Sequence, residues 1–423
     1  MADRTASFPL SLLALAMGGF AIGTTEFMAM GLLPQVADGV GVSIPSAGHL
    51  ISAYALGVVV GAPVLAFLGA RLPRRGLLVA LMAAYAGANA LSAVAGSYGM
   101  LLLARFLGGV PHGAYFGVAS LVAASLAPRG REGRAVAMVM IGLSVANVVG
   151  VPAATWMGQH LGWRSAFWVA AALAVLTAAL VTTFVPACPG DAGATGRREL
   201  RLFAEPQAWL TLLAGAIGFG GMFALYSYIA PVVTEVGGLA DGAVPVFLLA
   251  FGLGMVAGTY VAGALADWSV FRSLLGSSLA MAVLLLVYAV LAGAGWWALF
   301  PAFLVAVASS VLVVNLQLRL MSVAGDAQTL GAAMNHSSLN IGNALGAWIG
   351  GLVIAAGWGY RAPALVGVGL ALAGLAVLLL SATVARRSAV PAATPQLRPA
   401  VSGRRSGTRR HAARCRAGRR SPR

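Results

Sequence analysis

An all-α membrane protein, with twelve spanning helices in two pseudo-symmetric six-helix bundles, is the fold class this sequence predicts, on three observations. Of its 423 residues, 60% are hydrophobic and 9% charged, a composition far from that of ordinary soluble domains. The apolar residues gather in long runs between short polar connections, and at about 1.5 Å per helical residue each run can cross a hydrocarbon layer of about 30 Å. The second six runs repeat landmarks of the first.

In chain order the runs fall near 9–33, 46–70, 76–96, 99–124, 135–158 and 163–185, then near 208–234, 242–266, 272–292, 296–323, 327–355 and 360–383. The expected units are therefore a six-helix bundle over 1–185, a linker over 186–207, a second bundle over 208–383 and a tail over 384–423. Arg4 before the first run and a weak Ala14-Leu-Ala16 match to a cleavage site would suit a signal peptide. Cleavage there would discard half of the first run, so an uncleaved helix is expected. Pro34 and Pro231, Gly57 and Gly254, Gly61 and Gly258, and Leu68 and Leu265 are each 197 positions apart. Asn147 and Asn343, like Gly150 and Gly346, are 196 apart, and Gly162-Trp-Arg164 meets Gly359-Tyr-Arg361 at 197. Two halves of the same orientation imply parallel repeats about an axis along the membrane normal, with a site between them near the midplane.

The basic residues set the orientation. All 27 are Arg, and 12 of them lie after Val384. The remaining 15 nearly balance the 11 acids, which argues against nucleic acid as a partner of the main body. Arg4, Arg71, Arg74, Arg75, Arg129, Arg131, Arg134, Arg197, Arg198, Arg201, Arg272 and Arg319 share one side with the tail. The other side carries Asp38, Glu235 and Asp241 with only Arg164 and Arg361. A multi-pass membrane protein with both termini cytoplasmic is expected. The tail has too little apolar surface to fold and is expected to be disordered, with attraction to anionic lipid headgroups as its functional alternative. Cys188 and Cys415 fall in the linker and the tail, which does not suggest a disulfide framework.

Two charges lie inside apolar runs. Glu26 is the only charged residue between Pro9 and Leu33, and an intramembrane carboxylate is costly unless it is protonated, paired or facing water. Arg105 lies about seven residues into the fourth run, on the face shared by Gly108, Gly109 and His112. Glu26 is its partner by charge, and burial and a nearby cation act in opposite directions on a carboxyl's proton affinity. His112 reads either as a satisfied interior histidine or as a proton relay. His336, Asn340 and Asn343 form a polar stripe on the eleventh run, and Asn147 corresponds to Asn343 in the first half. These are candidates for interhelical hydrogen bonds or substrate contact. Phe20, Met30, Tyr115, Phe116, Met222, Tyr226 and Tyr228 suit an amphipathic ligand and would serve equally as packed interior.

Several ordered motifs resemble the drug:proton antiporter branch of the major facilitator superfamily, notably its arabinose-efflux and chloramphenicol-efflux types. They are Gly23-Thr-Thr-Glu-Phe27 with Gly31-Leu-Leu-Pro34, Gly61-Ala-Pro63, Ala70-Arg-Leu-Pro-Arg-Arg75, Arg105 within Leu101–Gly109, and Gly150-Val-Pro152 running to Gly162-Trp-Arg164. The resemblance covers about residues 9 to 383 and implies a proton-coupled exporter of a small organic molecule, drug-like or sugar-like, in a bacterial inner membrane, in which Arg105 takes part in proton handling. The family's cytoplasmic latch, Gly-x-Leu-Ala-Asp-Arg-x-Gly-Arg-Arg, stands here as Ala66-Phe-Leu-Gly-Ala-Arg-Leu-Pro-Arg-Arg75. The latch acid is replaced by Ala70, while Asp267 keeps it in the second half. Arg71, Arg74, Arg75 and Asp267 are the candidate gating residues. Gly142, Gly150, Pro152 and Gly158 stand where the branch has its fifth-helix signature, and helix packing alone would account for them.

The expected cycle is alternating access driven by protons, with the lipid bilayer, protons and a small molecule as partners and a monomer as the working unit. A proton-independent facilitator or importer of sugars or nucleosides is the alternative; a membrane receptor or enzyme is more remote. No enzyme activity, cofactor or metal is expected, since the sequence has neither a Lys-containing phosphate loop nor a His-Glu-x-x-His pair.

Overall fold

The computed structural model describes residues 3–69, 72–128, 132–188, 204–324 and 328–388. Span 1 is Asp3–Gly31, span 2 Ile44–Gly69, span 3 Arg74–Ala93 and span 4 Tyr98–Leu126. Span 5 runs from Glu132 to Leu161 through a π-helical turn at Ala146–Gly150, and span 6 is Trp163–Phe184. Span 7 covers Pro206–Tyr226. Span 10 is Leu299–Ala324, span 11 Gln328–Ala355 and span 12 Ala362–Ser388. Spans 8 and 9 lie end to end in Val244–Leu291, divided at Ser269, whose φ of −174° and ψ of 110° are extended rather than helical. Among the described residues these make twelve membrane-length helices in two six-helix bundles.

The turn at Ser269 falls inside the short connection expected between 266 and 272. Ser269 Oγ accepts from Arg272 N at 3.3 Å, as an N-cap does when it satisfies one of the free amides at a helix start. Ser273 Oγ donates back to the Ser269 and Leu265 carbonyls at 2.7 and 2.8 Å. One extended residue with local caps is thus enough to reverse the chain.

The internal repeat is visible in the packing. A Cβ on Gly57 would collide with the Phe106 carbonyl and one on Gly61 with the Val110 carbonyl, while Gly254 meets Phe303 O and Gly258 meets Val307 O in the same way. Spans 2 and 4 therefore touch as spans 8 and 10 do, because a row of glycines lets two backbones approach. Span 5 packs on span 1 by the same device: Gly142 against Ala16 O, Gly150 against Thr24 Oγ1 and the Phe20 ring, and Gly158 against Leu32. Pro152 follows the π-helical turn. A proline cannot donate into the helix ladder, and π-turns mark such irregularities.

The bundles meet chiefly on the side away from the chain termini. There Ser52 Oγ of span 2 donates to Ala344 O of span 11 at 3.0 Å. Tyr228 OH donates to Ala347 O at 2.7 Å and closes over Gly48 of span 2. Gln159 Nε2 reaches Asp241 O at 3.1 Å. Toward the terminal side, Phe116 of span 4 stacks on His336 of span 11, with ring centroids 5.9 Å apart and planes 4° from parallel. Outward faces carry Leu13, Tyr260, Val290 and Phe300, as expected where hydrocarbon rather than water is the solvent.

Of the candidate gating residues, Arg71 lies outside the described residues. Arg75 Nη2 donates to the Thr182 carbonyl, and the Arg74 amide donates to Cys188 O at 3.0 Å. These bonds tie the start of span 3 to the end of span 6. Asp267 is exposed just before the Ser269 turn. The linker from 189 to 203 and the tail from 389 also fall outside the described residues.

Candidate functional site

Glu26 and Arg105 are the only buried charged side chains among the described residues, 6% and 2% exposed. Glu26 projects from span 1 to the seam between the bundles, where Asn343 Nδ2 of span 11 donates to its Oε1 at 3.5 Å, a long bond. Arg105 comes from span 4 and lies within electrostatic range of Glu26 without bonding to it. Its guanidinium lies 4.3 Å from the centroid of the Tyr54 ring and 5.7 Å from that of Phe167. Such a face contact is worth about 2 kcal/mol or more once desolvated. Arg105 Nε and Nη2 have no hydrogen-bond partner among the described residues, so the donating edge of the cation is free while its face is held.

His112 turns toward span 2 and is bonded there. Its Nδ1 lies 3.0 Å from Tyr54 OH, which in turn is 3.1 Å from Tyr85 OH, and Tyr85 OH donates to Ile22 O of span 1 at 3.4 Å. One ordering satisfies all three bonds: Tyr85 donates to Ile22, Tyr54 to Tyr85, and His112 Nδ1–H to Tyr54. Rings continue the chain, with His112 5.4 Å from Phe116 and Phe116 stacked on His336. The network therefore runs from the Glu26 turn of span 1 to the second bundle.

The amides sit on both sides of the seam. Asn147 lies in the π-helical turn of span 5, donates Nδ2 to Leu143 O at 2.9 Å, and places its own carbonyl against Gly252 of span 8. Asn340 donates Nδ2 to His336 O at 3.0 Å. With their donors committed or turned to Glu26, the Oδ1 atoms of Asn147, Asn340 and Asn343 are buried acceptors without a partner among the described residues. An unmet buried acceptor costs about 1–3 kcal/mol, which a ligand or water donor relieves.

The aromatic candidates divide. Tyr226 packs on Phe251 at 4.3 Å and on Phe27 at 5.8 Å, and Phe27 stacks on Phe223 at 6.3 Å. This cluster crosses the seam beside Glu26. Met30 and Met222 are buried and Phe20 is half-buried against Gly150. Tyr115 stands apart: its hydroxyl donates to Leu15 O at 2.9 Å over Gly18, so it joins spans 1 and 4 inside the first bundle. Sequence reasoning passed over Tyr54 and Tyr85, each a polar ring in an apolar helix. Tyr54 stands three residues before Gly57, on the turn that faces span 4, and that spacing was its available signal.

The sequence matches the Major Facilitator Superfamily over residues 15–335. The chain belongs to that superfamily. It is 44% identical over 371 residues to the inner membrane transport protein YdhP of Escherichia coli strain K12, covering 87% of this chain and 94% of that one. The chloramphenicol resistance protein of Streptomyces lividans is 36% identical over 342 residues, covering 80% and 87%. Among solved structures, a bacterial homologue of the human lysosomal transporter Spinster aligns with a TM-score of 0.70 at 16% identity, over 89% of this chain and 97% of that one. This major facilitator is thus a multi-pass membrane transporter of small molecules, not an enzyme.

Proposed function

We propose that this transporter is a proton-coupled antiporter that exports a small organic molecule, drug-like or sugar-like, by rocking two units, 1–185 and 208–383, about the seam between them. The observation that carries the reading is the buried carboxyl of Glu26 at that seam, bonded across it to Asn343. An ionised Glu26 accepts from Asn343 Nδ2; a protonated one donates to the unpartnered Asn343 Oδ1 after the amide turns. Proton occupancy therefore changes a bond between the moving bodies, with Arg105 the cation within electrostatic range of that carboxyl. An ion gradient acts on the two arrangements through whatever difference in proton affinity they give Glu26. The Arg distribution supports cytoplasmic termini, and the resemblance supports outward transport. The relative's name makes chloramphenicol the first compound to try.

The test uses proteoliposomes holding a pH-sensitive dye, with chloramphenicol and arabinose added to wild type and to Glu26→Gln. The expected result is compound-evoked proton movement in wild type, at least about tenfold reduced in the variant, and transport that no longer depends on pH. Compound movement without proton flux, unchanged in Glu26→Gln, would make the protein a facilitator.

A further inference from the structure

Arg105 poses a problem that Glu26 alone does not solve. A buried guanidinium needs acceptors or an electron-rich face, and Arg105 Nε and Nη2 have no partner among the described residues. Tyr54 meets the need differently. Its ring lies under the guanidinium at 4.3 Å, and its hydroxyl is bonded to both Tyr85 and His112, so rotation of the ring would break two buried bonds. Gly109 makes the approach possible, since a Cβ there would collide with the Tyr54 carbonyl.

We propose that Tyr54 is a positioning residue for proton coupling: its ring carries the face of Arg105 and leaves the donating edge free to serve Glu26 or the ligand. Tyr85 and His112 hold the hydroxyl, and Tyr85 passes the anchor to Ile22 O, about one turn from Glu26 on span 1. The distance from cation to carboxyl is then set by spans 1 to 4 rather than by a flexible ion pair. Asn343 of span 11 is bonded to Glu26, and Arg105 from span 4, Tyr54 from span 2, Tyr85 from span 3 and Tyr226 from span 7 lie within electrostatic range of it. Arg105 is the one cation among them. This role rests on the antiport reading above.

The test replaces Tyr54 by phenylalanine and by its mono-, di- and trifluoro forms, which keep the ring's shape while draining its electron density. Two quantities are followed in each purified variant. One is the titration of the Glu26 carboxyl by its infrared band, assigned by loss in Glu26→Gln; the other is chloramphenicol- or arabinose-evoked proton flux in liposomes. The infrared midpoint is expected to move stepwise with fluorination by about half a pH unit or more, a roughly threefold change in proton affinity, with flux falling in parallel. Tyr54→Phe, which keeps the face without the hydroxyl, should retain more flux than Tyr54→Leu, which has no face. A midpoint and a flux that stay flat across the series would overturn the role of Tyr54 and leave antiport standing. Absence of proton flux in wild type would overturn both.

Discussion

At the scale of single residues, the chemistry concentrates in one half. Glu26, Arg105 and His112 belong to the first bundle, whereas the positions 197 later are Phe223, Ala302 and Ser309. The second bundle brings His336, Asn340, Asn343 and Tyr226 to the seam but no charged side chain buried among the described residues. Arg105→Lys keeps the charge but gives up the planar face and the fork of donors. It is expected to lower compound-evoked proton flux by about tenfold with little change in the amount of folded protein, measured in liposomes and by size-exclusion chromatography. Tyr85→Phe removes the bonds to Ile22 and Tyr54 and should lower stability by about 0.5–1.5 kcal/mol, read as a drop in the unfolding midpoint of detergent-solubilised protein. Both charged members of the site were legible as charges in the wrong solvent. Tyr54 was not, because a tyrosine in an apolar helix is equally at home packing.

At the scale of elements, small residues decide which helices touch. The four glycines at 57, 61, 254 and 258 seat two helix pairs in the same way. Gly57→Leu and Gly254→Leu are therefore expected to destabilise to similar degrees, each by about 1–3 kcal/mol or more through overpacking against backbone. Unequal losses in thermal unfolding would mean that the repeat is kept in the backbone but not in its energetics. The Ser269 turn offers a smaller test. Ser269→Ala removes the oxygen that caps Arg272 N and should cost about 1 kcal/mol. The repeat could be read from spacing alone, since it is a property of chain positions. The one-residue turn could not, because the caps that make it depend on side-chain geometry.

At the scale of the whole molecule, the contacts between bundles lie mainly opposite the termini, with the Phe116–His336 stack on the terminal side. Alternating access requires these contacts to part in turn. A Cβ on Gly351 would lie 3.7 Å from Pro45 Cα, so the double variant Pro45→Cys, Gly351→Cys should be joined by a short thiol crosslinker. Transport is expected to stop on crosslinking and to recover on reduction when a cleavable reagent is used. Continued transport after complete crosslinking would show that the side opposite the termini need not open.

The sequence by itself determined the solvent, the number of spans, their repeat and the two charges within them, because hydrophobic length and residue spacing are local properties. Only the tertiary structure decided what those charges meet. It set Glu26 on Asn343 rather than in direct bond with Arg105, laid Arg105 on Tyr54, and turned Tyr115 inward to Leu15. The physical reason is that an apolar helix hides its register from the sequence: Leu, Val, Ala and Gly pack on any side, and the partner of a buried polar group is chosen by how neighbouring helices rotate and how closely their glycines let them approach.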